Sequence, residues 1–221
     1  RRKISIVPPG VDLSHFYPRS YDVSRQALEI DEEQRMLLFV GRIEPLKGIE
    51  TILHALDILR THDPAMLENI VLYIVGGDLS DPGPEIGRLR QLCQQLELND
   101  YIEFAGAQGH DTLPTYYSAA EALIMPSDYE SFGMVALEAM ACGTPVIASE
   151  VGGLAFLIED YETGLHVPVR DPDMLATSIH KLIDDSQQRQ LMGQRARTVA
   201  QNYAWEKIVV RLVQLFDRVV V

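Results

Sequence analysis

Short, nearly continuous apolar runs alternate along this chain with longer segments in which apolar positions recur every three or four residues. The runs are Ile4–Val7, Met36–Val40, Ile70–Val75, Tyr101–Phe104, Ala122–Met125, Pro145–Ala148 and Gly164–Val167. A strand that is apolar on both faces is buried on both, as in a parallel sheet covered by helices. Between the runs, Ile49, Ile52, Leu53, Leu56 and Leu59 share one helical stripe, and Leu89, Leu92, Cys93 and Leu96 share another. Repeated strand–helix–strand alternation predicts an α/β fold, a Rossmann-like, doubly wound parallel sheet. Beyond Asp171 the pattern is helical throughout, over Asp173–Asp184, Gln187–Asn202 and Trp205–Val219. These C-terminal helices are expected to cover one edge of the sheet. Asp171 before Pro172 reads as a helix cap and first-turn proline. Gly143 before Thr144-Pro145 reads as a helix stop.

Composition narrows the partners. The 221 residues suit one large domain, and a net charge of -13 disfavours nucleic acid and anionic membrane surfaces. An anionic ligand therefore needs a local cluster of positive charge. Cys93 and Cys142, in no metal-type spacing, point to a reduced, cytoplasmic setting. No apolar run approaches the length of a membrane span. The opening Arg1–Gly10 is too short in apolar residues for a signal peptide and is stopped by Pro8-Pro9. It reads as a strand beginning mid-domain, with further residues expected before it.

In an open parallel sheet, ligands sit at the carboxyl ends of the strands, so the loops there carry the candidate chemistry. Gly41-Arg42-Ile43-Glu44-Pro45-Leu46-Lys47-Gly48 holds two cations in a loop pinned by glycine and proline. Either they converge on one anion, Arg42 as a planar fork and Lys47 as a point charge, or they are solvated surface charges. Gly76-Gly77 allows close approach of a ligand to the backbone, or simply turns tightly. Gly106-Ala107-Gln108-Gly109-His110 is able to present backbone amides to a flat base; His110 itself reads more readily as a loop residue than as an acid–base group. In Pro126–Glu138 a strand ends and a helix begins near Phe132. Its free N–H groups favour phosphate. Glu130 precedes that helix and Glu138 lies two turns into it, so they reach different parts of a ligand. Glu138 also suits a helix's first half electrostatically. Yet its neighbours Leu137, Ala139, Met140 and Ala141 are apolar, and a carboxylate there needs a designated partner.

Taken together these elements resemble the C-terminal domain of glycosyltransferase family 4, retaining enzymes of the GT-B fold. The resemblance is carried by Val7-Pro8-Pro9-Gly10-Val11-Asp12, Gly41-Arg42, Lys47-Gly48, Gly76-Gly77, Phe104-Ala105-Gly106 and Pro126-Ser127. It continues through Glu130-Ser131-Phe132-Gly133, Glu138–Val146, Gly152-Gly153 and Thr163-Gly164. The Glu-x7-Glu element is specific only in this company. The forms around Pro8-Pro9-Gly10 and Glu130–Gly133 are most similar to the branch with sucrose-phosphate synthases and N-acetylglucosaminyl-inositol-phosphate synthases.

The resemblance implies roles. Arg42 and Lys47 bind the donor diphosphate and, with Glu130, form the catalytic group. Glu138 accepts from the ribose hydroxyls and Glu130 contacts the sugar. Backbone amides of Phe132, Gly133, Met134 and Val135 meet sugar or phosphates, Gly76 lines the site, and the Gln108 loop meets the base, uracil, through its main chain. The implied substrate is a UDP-sugar, with no cofactor and no metal, since Arg42, Lys47 and the helix N-terminus neutralise the leaving diphosphate. Residues 1–221 match only the nucleotide-sugar-binding half of the fold. The N-terminal acceptor domain has no counterpart here, so the chain is expected to bind donor and transfer little alone. The competing reading is a non-catalytic regulatory or scaffolding domain on the same fold; retention of Arg42, Lys47, Glu130 and Glu138 argues against it.

Overall fold

A computed structural model describes residues 4–220 of the chain. Its elements run α1 (Tyr21–Ala27), β1 (Arg35–Val40), α2 (Ile49–His62), α3 (Pro64–Leu67), β2 (Ile70–Val75), α4 (Pro84–Gln95), β3 (Ile102–Gly106) and α5 (Leu113–Ala119). They continue β4 (Ala122–Met125), α6 (Met134–Ala141), β5 (Val146–Ser149), α7 (Leu154–Leu157), β6 (Gly164–Val167), α8 (Pro172–Asp184), α9 (Ser186–Ala200) and α10 (Trp205–Val220).

The strands form one sheet in the order β3-β2-β1-β4-β5-β6, and every neighbouring pair is parallel. The chain winds outward from β1 through β2 to β3, then returns to the other side of β1 with β4. That reversal opens a crevice beyond the carboxyl ends of β1 and β4.

Alternate residues of each strand feed two cores. Met36, Leu38 and Val40 of β1 join Leu123, Met125, Val146 and Ala148 beneath α6. Leu37 and Phe39 join Leu72, Ile74, Ile124 and Ile147 beneath α2 and α8. This two-faced burial is why the strands read as unbroken apolar runs. Asp171 caps α8 by accepting from the Met174 N–H at 2.9 Å, and Gly143 ends α6 in the left-handed conformation with φ 81°. α8 packs on α2, whereas α9 places Met192 in one core and Ala196 and Ala200 in the other. The C-terminal helices thus wrap the β6 edge and cover parts of both faces, more than the single edge expected. α10 buries Ile208 and leaves Val209, Val213 and Phe216 exposed.

One expected strand is absent. Ile4–Val7 pairs with nothing in the sheet, and Ile4 and Ile6 are 87% and 92% exposed. An apolar run becomes a strand only where an edge accepts its backbone bonds. Here the first such bond is made by Val11, whose N–H donates to the Tyr203 carbonyl at 2.8 Å.

Candidate functional site

The loops after β1 and β4 meet at the crevice, and the meeting depends on Gly48. Its φ is 72°, and a Cβ there would lie 2.1 Å from the Pro126 carbonyl oxygen. The contact continues where the Asp128 N–H donates to the Leu46 carbonyl at 2.8 Å. With the backbones this close, Lys47 Nζ reaches Glu130 Oε2 at 2.8 Å, and the two side chains are only 16% and 15% exposed. Arg42 behaves differently. It pairs with Glu44 on its own loop at 2.7 Å, and its side chain is 77% exposed. The structure therefore brings Lys47 and Glu130 together and does not show Arg42 converging with them. A carboxylate two residues along the chain already occupies the arginine fork.

Behind Glu130 stand Gly152 and Gly153. The Gly153 N–H donates to the Glu130 carbonyl at 3.1 Å, and a Cβ on Gly152 would meet that same oxygen at 1.8 Å. Arg170 pins the front of the loop through three hydrogen bonds to the Asp128 carboxylate, from Nε to both oxygens and from Nη2 to Oδ2. α6 then starts behind Gly133, which is left-handed at φ 95°. The first amides of a helix have no carbonyl one turn back, so those of Met134 and Val135 face the crevice end. Phe132 is half-buried against the Tyr203 ring, 5.8 Å between centroids.

Glu138, further along α6, has the partner its apolar surroundings demand. Tyr117, fully buried on α5, donates its hydroxyl to Glu138 Oε2 at 2.8 Å. Burial raises the Glu138 carboxyl above the usual carboxylate range, opposed by the Tyr117 hydrogen bond and by His110 and His15. Burial, and then the Glu138 charge, holds Tyr117 well above the ordinary phenol range. His15 stacks on His110 with centroids 4.5 Å apart, and its Nε2 lies 3.0 Å from the His110 carbonyl oxygen. Neither Tyr117 nor His15 was legible as a site residue. Both are ordinary loop or helix residues until the fold brings them to Glu138.

The loops after β2 and β3 are stitched together: Gly76 N–H donates to Gly106 and Ala107 N–H to Gly77, each at 2.8 Å. Gln108 turns its side-chain amide back onto the Ala105 carbonyl at 2.7 Å, so the loop offers main chain outward. His15, His110 and Asp111 each bring one ligand atom within 4.8 Å of the others. That is wide for a shared ion, because ligands at about 2.1 Å from a tetrahedral metal stand roughly 3.4 Å apart. The expectation of no metal cluster came from sequence spacing alone. It did not foresee a trio spanning two distant loops.

Residues 20–199 match the family described as Glycosyl transferases group 1. Among curated relatives, D-inositol 3-phosphate glycosyltransferase of Salinispora tropica is 36% identical over 99% of this chain, which covers 46% of that protein. Among solved structures, sucrose-phosphate synthase from Thermosynechococcus elongatus superposes with a TM-score of 0.86 at 38% identity, over 96% of this chain and 52% of that one. Anabaena Alr3699/HepE, solved with UDP and glucose, shares the fold with a TM-score of 0.83 at 24% identity, over 97% of this chain and 56% of that one. The chain spans about half the length of the relatives it matches.

Proposed function

The chain belongs to the family of glycosyl transferases group 1, and from that premise we propose that it is the donor-binding half of a retaining hexosyltransferase, holding a nucleotide sugar, UDP-linked, in the β1/β4 crevice. The observation that carries the reading is the Lys47–Glu130 pair, 2.8 Å apart and partly buried beside the N-terminus of α6 at the point where the sheet reverses. Glycosyl transfer releases a nucleoside diphosphate, so charge grows on phosphate oxygens in the transition state and preorganised donors there lower the barrier. Lys47 supplies one such donor, and the amides of Phe132, Gly133, Met134 and Val135 supply others. Arg42, exposed on the same loop, exchanges Glu44 for the diphosphate. Glu130, fixed by Lys47, accepts from sugar hydroxyls. Glu138, fixed by Tyr117, accepts from the ribose, and the Gly76 and Gln108 loops frame the base with main chain.

Glu130 is held by Lys47 and Glu138 by Tyr117, each in a binding part, and neither is assigned the part of a covalent nucleophile. Attack from the face the phosphate leaves, with a phosphate oxygen taking the acceptor proton, is the route these residues favour. It requires no metal. The acceptor is bound by an N-terminal half beyond these residues, and the two buried, unpaired thiols fit a cytoplasmic protein.

Calorimetric titration with UDP in the presence of EDTA tests the reading, UDP being the first probe because the Anabaena protein of the same fold was solved with it. Binding is expected to survive chelation. Lys47→Ala should weaken it by about 10- to 100-fold, the loss of one hydrogen bond to a charged group. No heat at millimolar UDP, or a Lys47→Ala variant that binds like the parent, would overturn the proposal.

A further inference from the structure

The opposite end of the sheet carries a second polar cavity, of about 510 Å³. It lies where the chain enters β4 and β5, away from the crevice at their carboxyl ends. Arg19, Ser118, Glu121, Cys142, Arg189 and Arg197 line it. Three arginines against one glutamate is a marked local excess in a chain of net charge -13.

The single carboxylate is already engaged. Glu121 binds Arg189 Nε at 2.7 Å and accepts from the Tyr21 hydroxyl at 2.9 Å. Arg189 spends its remaining bonds on the Leu182 and Ile183 carbonyls that end α8. Arg19 and Arg197 are different. Among the described residues, neither has a carboxylate partner. The Arg19 guanidinium donates through Nη1 to Thr115 Oγ1 at 2.7 Å, its backbone N–H donates to Ser118 Oγ at 3.1 Å, and its buried Nε has no acceptor. An arginine serving merely as a helix C-cap would bond the last carbonyls of α5 or α6, and Arg19 bonds neither. The two cations also share a neighbour. Burial pushes the Cys142 thiol up to about 12, while Arg19 and Arg197 both pull it down. Arg19, Cys142 and Arg197 all line the one cavity.

We propose that this cavity is a binding site for a phosphate group, free or as a phosphomonoester, gripped by the Arg19 and Arg197 guanidiniums and separate from the nucleotide crevice. Guanidinium forks match tetrahedral oxyanions geometrically, and two of them without carboxylates suit a dianion. The cavity exceeds the size of a bare phosphate, so an esterified sugar or polyol fits beside Ser118.

The test is a backbone amide NMR titration of the chain, first with inorganic phosphate and then with a hexose monophosphate, at constant ionic strength and with UDP saturating. Saturable shifts at Ser118, Cys142 and Gly143 are expected in the millimolar range or below. Arg197→Gln, at an exposed position that leaves the core intact, should weaken them on the order of tenfold. Arg19→Gln should do the same, and UDP binding should be unchanged in both. A tighter fit for the ester identifies a phosphorylated metabolite, and equal affinity identifies free phosphate. No shift at these amides with either probe overturns the site, as do shifts that survive both substitutions. Because the readout is local to this end of the sheet, it stands whether or not UDP binds the crevice.

Discussion

Glu138, proposed to bind the ribose, imposes a cost on the fold that holds it. Its carboxyl is raised above its ordinary value of 4.5 because burial disfavours the charge more than the Tyr117 hydroxyl favours it. The folded chain therefore holds this proton more tightly than the unfolded chain does. The associated stability is fully present below the unfolded value and is lost as pH rises through the folded one. At neutral pH the buried charge is a net penalty. Glu138→Gln keeps an acceptor for Tyr117 and removes the charge. We expect it to melt at a higher temperature than the parent at pH 7, with the gap closing as the pH falls to 4.5 and below. The same variant should bind UDP more weakly while binding pyrophosphate as before, because only the nucleoside carries ribose hydroxyls. Equal losses for both ligands would remove Glu138 from the ribose, and a lower melting point at neutral pH would show that the burial penalty has been misjudged.

At the level of elements, the site exists because two loops touch. Gly48 serves as both the end of the Lys47 turn and the cap before α2, in a left-handed conformation against the Pro126 carbonyl. In Gly48→Ala the new methyl would clash with backbone that cannot yield as a side chain would, on top of the strain of φ 72°. A loss of about 2 kcal/mol or more in urea unfolding is expected, within the range of strain at special backbone positions. The parted loops should also lose UDP affinity. A Gly48→Ala variant as stable and as tight as the parent would show that the loops can meet another way. Much of this layer was legible beforehand. The six observed strands overlap runs read from hydrophobicity, because burial on both faces leaves that signature; Glu138 was marked by its apolar neighbours and Glu130 by its place just before a helix. The pairs were not legible. Lys47 meets Glu130, and Tyr117 meets Glu138, through loop and helix packing that no spacing in the chain records. Spacing left Arg42 either converging with Lys47 on one anion or solvated, the resemblance pointed to the first, and in the structure Arg42 pairs with Glu44 instead. Ile4–Val7 failed in the other direction: it has the pattern of a strand but no edge to join.

On the scale of the whole molecule, the crevice has one wall. The groups proposed to hold the donor lie at the carboxyl end of a single sheet, in a chain that covers about half the length of its relatives. Electrostatic stabilisation of a leaving diphosphate is strongest where water is excluded, and an open crevice with Arg42 at 77% exposure does not exclude it. A second consequence concerns the acceptor. Holding two reactants in attack geometry can contribute roughly 7–11 kcal/mol to lowering a barrier, and in the proposed reading the acceptor is held by residues outside this chain. The chain alone should therefore bind UDP with the affinity set by Lys47 and Glu138, yet release sugar from UDP-glucose no faster than a Lys47→Ala control. Supplying the proposed N-terminal half, fused in one polypeptide, should raise transfer by orders of magnitude while changing UDP affinity little, because the proposed donor contacts lie on this side of the crevice. Product formation followed by chromatography, with UDP affinity measured on the same samples, separates the two quantities. Rapid transfer by the chain alone would mean that acceptor positioning is built into these residues after all. A large rise in UDP affinity on fusion would mean that the second wall, and not Lys47 and its neighbours, carries the nucleotide.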